Sequence, residues 1–202
     1  VIGRFNTTRK FLAVTRPRRF GKTITAHMLS AFFSKGCDSK EMFKGLKISE
    51  SKNYQDHLNK YDVIYWDMNS VRDNFMAYID DSSLHIEGID DIVDYMQYVT
   101  LHELKKHEQF NEIINSDSLI GKKSLKQAIA FTKNKFVLIM DEWDLIYREY
   151  REDTALQKKF IDLLRSLFKS DDGQACFHLA YLTGILPIKK YNSQSALNNS
   201  IG

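Results

Sequence analysis

The sequence predicts an α/β fold, a three-layer sandwich with helices on both faces of a mainly parallel sheet. Three observations carry that prediction. Apolar runs at residues 11–14, 63–66, 136–140 and 176–182 read as strands; helical stripes separate them; and each run closes in polar or charged residues. Strands separated by helices of this length imply right-handed crossovers and a parallel sheet. In open sheets of that kind a ligand lies beyond the carboxyl ends of the strands, so the residues that follow each strand are the ones to read for chemistry.

The first run leads into Arg16-Pro17-Arg18-Arg19-Phe20-Gly21-Lys22-Thr23, after which Ile24, Met28 and Phe32 recur at steps of four. That is strand, loop, helix. The second run ends in Asp67, with Asn69, Ser70, Arg72 and Asp73 behind it. Ile92, Tyr95, Met96 and Val99 form a helical stripe within 90–110, and Leu125, Ala128 and Ile129 form a shorter one. Both read as covering helices, and 70–125 as a helical insertion within one domain that spans 1–202. The run 136–140 is unbroken and closes in Asp141-Glu142, as a parallel strand buried on both faces would. Phe160, Leu163, Leu164, Leu167 and Phe168 give an amphipathic helix that should stop near the turn-forming Asp171-Asp172-Gly173. The last run, 176–182, is apolar apart from His178 and ends in Thr183-Gly184.

A chain of 202 residues, 43% apolar and 27% charged, can bury a core without metal or disulfide staples. Its net charge of +3 does not by itself call for nucleic acid, although basic residues crowd the first sixty positions and acidic ones gather between Asp80 and Asp94. That polarity suits an anionic ligand near the N-terminal half, or simply a solvated face. Two cysteines, Cys37 and Cys176, form no metal or disulfide pattern, so a reducing cytoplasm is the expected setting, and no apolar run is long enough to cross a bilayer. The chain begins at Val1 and stops at Ile201-Gly202 without a capped final helix, so a fragment of a longer protein is expected.

A phosphate-binding loop needs backbone N–H groups turned inward, a glycine where the backbone nears the phosphates, and a helix whose positive end faces them. Gly21-Lys22-Thr23 ahead of a helical pattern supplies these. Lys22 would reach the β and γ phosphates, and the Thr23 hydroxyl would ligate Mg²⁺. The general Walker A pattern also asks for a glycine five residues before Gly21, where this chain has Arg16. The loop must therefore take another backbone path, one set by the fixed φ of Pro17.

Asp141, at the end of a buried strand, holds the Walker B position for the magnesium shell, and Glu142 is placed to orient and deprotonate the attacking water. The competing expectation is that Asp141, Glu142 and Asp144 only cap the helix that follows. If 176–182 is a strand inserted between the phosphate-loop strand and the Walker B strand, Thr183 falls near the γ phosphate, the sensor 1 role; a plain strand-ending turn at Thr183-Gly184 is the competing expectation.

Arg16, Arg18 and Arg19 suit phosphates, an acidic partner or nucleic acid equally, and their place on the loop favours the nucleotide for Arg18 and Arg19. His102 and His107 are five residues apart where the zinc-helix pattern needs four, so no metal site is expected there. His178 inside an apolar strand is expected to be a satisfied core histidine.

The residues Arg16 through Thr23, the run Asp141-Glu142-Trp143-Asp144, the segment Leu182-Thr183-Gly184-Ile185 and Leu197-Asn198-Asn199 together resemble the bacterial AAA-ATPase-like family. Its members are similar in carrying an Arg-Pro-Arg-Arg-Phe-Gly-Lys-Ser/Thr loop in place of the glycine-led one, so Arg16 fits the resemblance. The resemblance implies a P-loop NTPase sandwich with the additional-strand order, relatedness to the STAND and archaeal ATPases, and binding of ATP and Mg²⁺. It implies a nucleotide contact by Arg18, Arg19, Phe20, Gly21, Lys22, Thr23 and Ile24, and a PD-(D/E)XK nuclease-like domain beyond Gly202.

The expected function is thus Mg-dependent ATP binding with slow hydrolysis, switching an attached or partner domain. Hydrolysis is expected to be slow because no arginine finger can be assigned, a group worth roughly 10³ to 10⁵ in rate elsewhere. Two alternatives are a nucleotide-binding module that does not hydrolyse, motivated by Arg16, and an ATPase associated with nucleic acid, motivated by the early basic cluster and the nuclease of relatives.

Overall fold

The computed structural model describes residues 1–81, 86–115 and 125–186, with the side chains of 112–115 left aside. Two compact units make up the chain: Val1–Trp66, Lys135–Asp144 and the residues from Phe177 on form the first, and Asp67–Asn134 with Leu145–Cys176 form the second.

The first unit is a twisted sheet with a helix packed along it. Its strands are β1 (Phe11–Thr15), β2 (Asp62–Asp67), β3 (Phe136–Asp141) and β4 (Phe177–Gly184), and its helices are α1 (Lys22–Phe33) and two single turns, α2 (Lys40–Phe43) and α3 (Tyr54–His57). The strand order is β1-β4-β3-β2, all parallel, with β4 between β1 and β3 as the additional-strand sandwich requires. Every residue of β3 is buried, which explains why that run is apolar throughout rather than alternating.

Alternation along the strands decides which residues meet α1. Val137 and Ile139 of β3, Leu179 and Tyr181 of β4 and the partly buried Leu12 and Val14 of β1 share one cluster with Ala26, Phe32 and Phe33 of α1. Side chains two apart on a strand face the same way, so Asp141 and Thr183 stand on this same face. The direction of α1 is fixed at its far end. The Phe33 carbonyl accepts from the Tyr61 N–H at 2.9 Å, just ahead of β2, and the Phe33 and Tyr61 rings join Phe5, which stacks on His178 near the start of β4. With its last residue at the N-terminal ends of the strands, α1 begins at their carboxyl ends.

His178 is half-buried, its Nδ1 2.9 Å from Asn6 Oδ1 and its ring edge-on to Tyr61, so it is the satisfied histidine expected. Burial, then the charges of Lys135, Lys10 and His57, holds its pKa below the ordinary histidine value.

The second unit is helical: α4 (Met68–Asp80), α5 (Ile92–Lys105), α6 (Glu108–Asn115), α7 (Leu125–Phe131), α8 (Leu145–Glu149), α9 (Thr154–Phe168) and α10 (Asp171–Ala175). Ile92, Met96, Leu125, Ile129, Phe160 and Phe168 are its fully buried bulk. Lys159 on α9 bonds Asp91 at 2.7 Å and Asp94 at 2.5 Å, and Arg72 on α4 bonds Glu149 on α8 at 2.6 Å.

The stripe Ile92, Tyr95, Met96 and Val99 lies on α5 as expected, and the segment 90–110 also takes in the start of α6, since the Lys106 and His107 N–H groups bond back to Glu103 and Leu104 and end α5. Two local readings are corrected. Asp171-Asp172-Gly173 is no simple turn: the Ser170 hydroxyl accepts from the Gly173 N–H at 3.1 Å and starts α10. Glycine is needed there because a Cβ would stand 2.2 Å from the Ser166 carbonyl oxygen of α9. Cys176 accordingly caps α10, its thiol on the Asp172 carbonyl at 3.1 Å, and the strand starts one residue later.

Candidate functional site

The carboxyl ends of β1, β4 and β3 are brought level by register. Val14 pairs with Thr183 and Thr15 with Gly184 across β1 and β4, and Asp141 pairs with Thr183 across β3 and β4. Neighbouring strands lie about 4.8 Å apart, so the last residues of β1 and β3 are only about 10 Å apart with β4 between them. Arg16 extends the pairing by one step, its N–H on the Gly184 carbonyl at 3.1 Å.

The loop from β1 to α1 then curls. Arg19 has φ 67° and Gly21 has φ 70°, whereas Phe20 between them and Lys22 after them keep the ordinary sign. Backbone of alternating hand turns successive N–H groups to one side and forms an anion-binding nest. The left-handed positions fall on Arg19 and Gly21, so Arg16 never needs the conformation that a leading glycine would supply. The Pro17 carbonyl receives the Lys22 ammonium at 3.1 Å. Lys22 is buried by that fold-back, and Arg18, Arg19, Phe20, Thr23 and Ile24 are exposed around it.

The start of α1 differs from the other long helices. Asp67, Asp91 and Asp153 cap α4, α5 and α9 with side-chain oxygens that accept N–H groups of the first turn. Before α1 stands Gly21, which has no side chain to do so. The first bond along α1 runs from the Thr25 N–H to the Gly21 carbonyl at 2.9 Å. The N–H groups of Lys22, Thr23 and Ile24 thus point past the helix end, at the positive pole of its dipole. Asp67, read as lying on the ligand edge, spends its carboxylate on α4, accepting from the Asn69 N–H at 3.0 Å and the Ser70 hydroxyl at 2.8 Å.

Asp141 is buried at the end of β3, and its Oδ1 accepts from the Glu142 N–H at 3.0 Å. It caps its own neighbour rather than a following helix. Glu142 is half-buried with φ 55°, a left-handed backbone that a glutamate adopts only under constraint. Beside Asp141, Thr183 is completely buried, and among the described residues no group bonds its hydroxyl. Two residues back on the same face, burial raises the Tyr181 phenol above its ordinary pKa; the negative Asp141 adds to the rise and Arg16 opposes it.

This donor set fits a hard divalent cation with phosphate oxygens. Among the described residues no cluster of three His, Cys, Asp or Glu side chains forms a protein-only cage. Magnesium seldom uses one; it takes one or two carboxylates and completes its shell with phosphates and water. Asp141 with the Thr23 and Thr183 hydroxyls offers oxygen ligands only.

Sequence reading missed the role of Asp144. Its Oδ2 accepts from the backbone N–H of Leu186 at 2.9 Å and of Ile185 at 3.2 Å, so it does not simply cap the helix that follows. Only the unusual density of acids after β3 could have signalled it.

A family model described as predicted AAA-ATPase matches residues 2–192. No curated protein and no solved structure matches the chain.

Proposed function

The chain belongs to the predicted AAA-ATPase family, and from that premise we propose that it binds Mg-ATP along this sheet edge and hydrolyses it slowly, as a switch for an attached or partner domain. Family membership supports nucleotide binding in general; the assignment to particular side chains rests on one observation. The buried Thr183 hydroxyl, which has no partner among the described residues, is in register with Asp141 at the end of the sheet where the uncapped α1 begins.

Each residue then has a task. The nest at Arg19 to Lys22 and the first N–H groups of α1 receive phosphate oxygens. Lys22 leaves the Pro17 carbonyl for the β and γ phosphates, where a point charge is worth more than on a neutral oxygen. Thr23 and Asp141 would hold a divalent cation, which when bound would offset phosphate charge. Glu142 orients the water and takes its proton, and Thr183 hydrogen-bonds that water or a phosphate oxygen. Arg18 and Arg19 lie close enough in the chain to add charge, while the exposed Phe20 and Ile24 offer apolar surface to the nucleoside. The switch arises because ligand must draw Lys22 out of its internal bond, giving the loop two discrete states.

The test is steady-state ATP turnover of the parent chain, Glu142→Gln and Lys22→Ala. Turnover that falls about a hundredfold in Glu142→Gln, with nucleotide still bound, supports the assignment. Equal rates in the parent and Glu142→Gln remove Glu142 from the reaction.

A further inference from the structure

Asp144 follows Glu142 by two residues and is wholly buried, a costly place for a carboxylate unless its oxygens are bonded. Its Oδ2 takes two backbone N–H groups just past β4, those of Ile185 and Leu186. The adjoining Trp143 donates its own backbone N–H to the Thr183 carbonyl at 3.1 Å. Three bonds therefore fasten the segment after β3 to Thr183 and to the two residues just past β4, beside the register pair Asp141 and Thr183.

Gly184 shows how tight the fastening is. A Cβ there would stand 2.6 Å from Asp144 Oδ1 and 2.7 Å from both Cδ1 and Nε1 of Trp143, distances that side chains do not reach. Its φ is not left-handed, so close approach, not turn geometry, demands the glycine.

We infer that Asp144 is a positioning residue for the nucleotide site, its carboxylate latching the end of β4 to the end of β3 and so setting the Thr183 hydroxyl beside Asp141. This rests on the nucleotide reading above and adds to it a residue that does not touch the nucleotide. Asp144 acts through Thr183. The latch also explains how a hydroxyl can be held buried with no partner among the described residues: the backbone around it is clamped by bonds that do not involve it.

The experiment compares the full chain with Asp144→Ala, Asp144→Asn, Thr183→Val and the double variant Asp144→Ala with Thr183→Val. Turnover, Mg-ATPγS affinity and amide exchange at Ile185 and Leu186 are read together. Asp144→Ala should lower turnover by up to about tenfold, no more than Thr183→Val does, while affinity changes by no more than about threefold, the signature of misplacement. The double variant should be no worse than the more impaired single one, because both act through one hydroxyl. Asp144→Asn should recover most of the loss, since its amide oxygen still accepts both N–H groups, and only Asp144→Ala should speed exchange at Ile185 and Leu186.

Asn as impaired as Ala, additive losses, or an unchanged Asp144→Ala in an active parent would each overturn the inference alone. Rapid exchange of those two amides in the folded parent overturns it too, whichever variants fold. In a parent that binds without turnover the latch is read from amide exchange, and exchange at Ile185 and Leu186 that is equal in the parent and Asp144→Ala overturns it. A parent that neither binds Mg-ATPγS nor hydrolyses ATP removes the nucleotide reading and the inference together.

Discussion

Asp141 and Thr183 are register partners across β3 and β4, a buried carboxylate beside a buried hydroxyl that no group among the described residues satisfies. An unsatisfied buried hydroxyl costs about 1 to 3 kcal/mol, so a fold that keeps one invites a ligand to complete it. Thr183→Val removes the hydroxyl and keeps the shape. The variant should be more stable than the parent by about 1 kcal/mol in urea unfolding, while ATP turnover falls about tenfold. Opposite signs for stability and activity are the distinctive outcome; a destabilised Thr183→Val would mean that the hydroxyl is satisfied within the fold.

Gly21 takes φ 70° with nothing within 4 Å of where its Cβ would sit. Gly21→Ala therefore meets no clash in the protein and should lose only about 1 kcal/mol through backbone strain. Under the proposed assignment the added methyl stands where the phosphates would bind, so Mg-ATPγS affinity should drop by more than about tenfold. Calorimetry alongside thermal unfolding separates the two effects, and a variant that binds as the parent does would move the phosphates away from this loop.

His178 titrates below the ordinary histidine value because burial disfavours its charged form, with Lys135, Lys10 and His57 adding to the effect. Burial lowers the pKa of His57 in the same ring cluster. With the folded pKa depressed, the unfolded chain binds protons first as acid is added. Stability should hold above roughly pH 6.5 and decline as the pH falls through that value toward the depressed one. Melting temperatures between pH 8 and 5 check this, and His178→Gln should flatten the decline; an unaltered slope in that variant would assign it to other groups.

The parts of this fold that could be read in the sequence are those written in local pattern. The unbroken run 136–140 announced a strand buried on both faces, and Phe160 to Phe168 announced an amphipathic helix, because burial imposes a period that the residues themselves display. The placing of β4 between β1 and β3 is an expectation carried by the family resemblance, not by any local pattern in the strand itself. What could not be read is long-range or conformational. The bonds from Asp144 to Ile185 and Leu186 span 41 and 42 residues and leave no local signature. The left-handed φ of Arg19 and Glu142 falls on residue types that rarely adopt it, so no residue preference foretells it. The Asp171-Asp172-Gly173 turn failed for a related reason: its glycine answers to the carbonyls of a neighbouring helix, which are invisible in a window of three residues.

The central claim is that the curl before α1 and the acid at the end of β3 serve one triphosphate. Its most direct test is calorimetric titration of Mg-ATPγS into the parent, Lys22→Ala and Asp141→Ala, each with Mg²⁺ and with chelator. The account predicts binding by the parent that weakens without Mg²⁺, a loss of about a hundredfold in Lys22→Ala, and affinity in Asp141→Ala that no longer responds to the cation. Parent and variants that bind alike, or a parent that binds nothing, would contradict it.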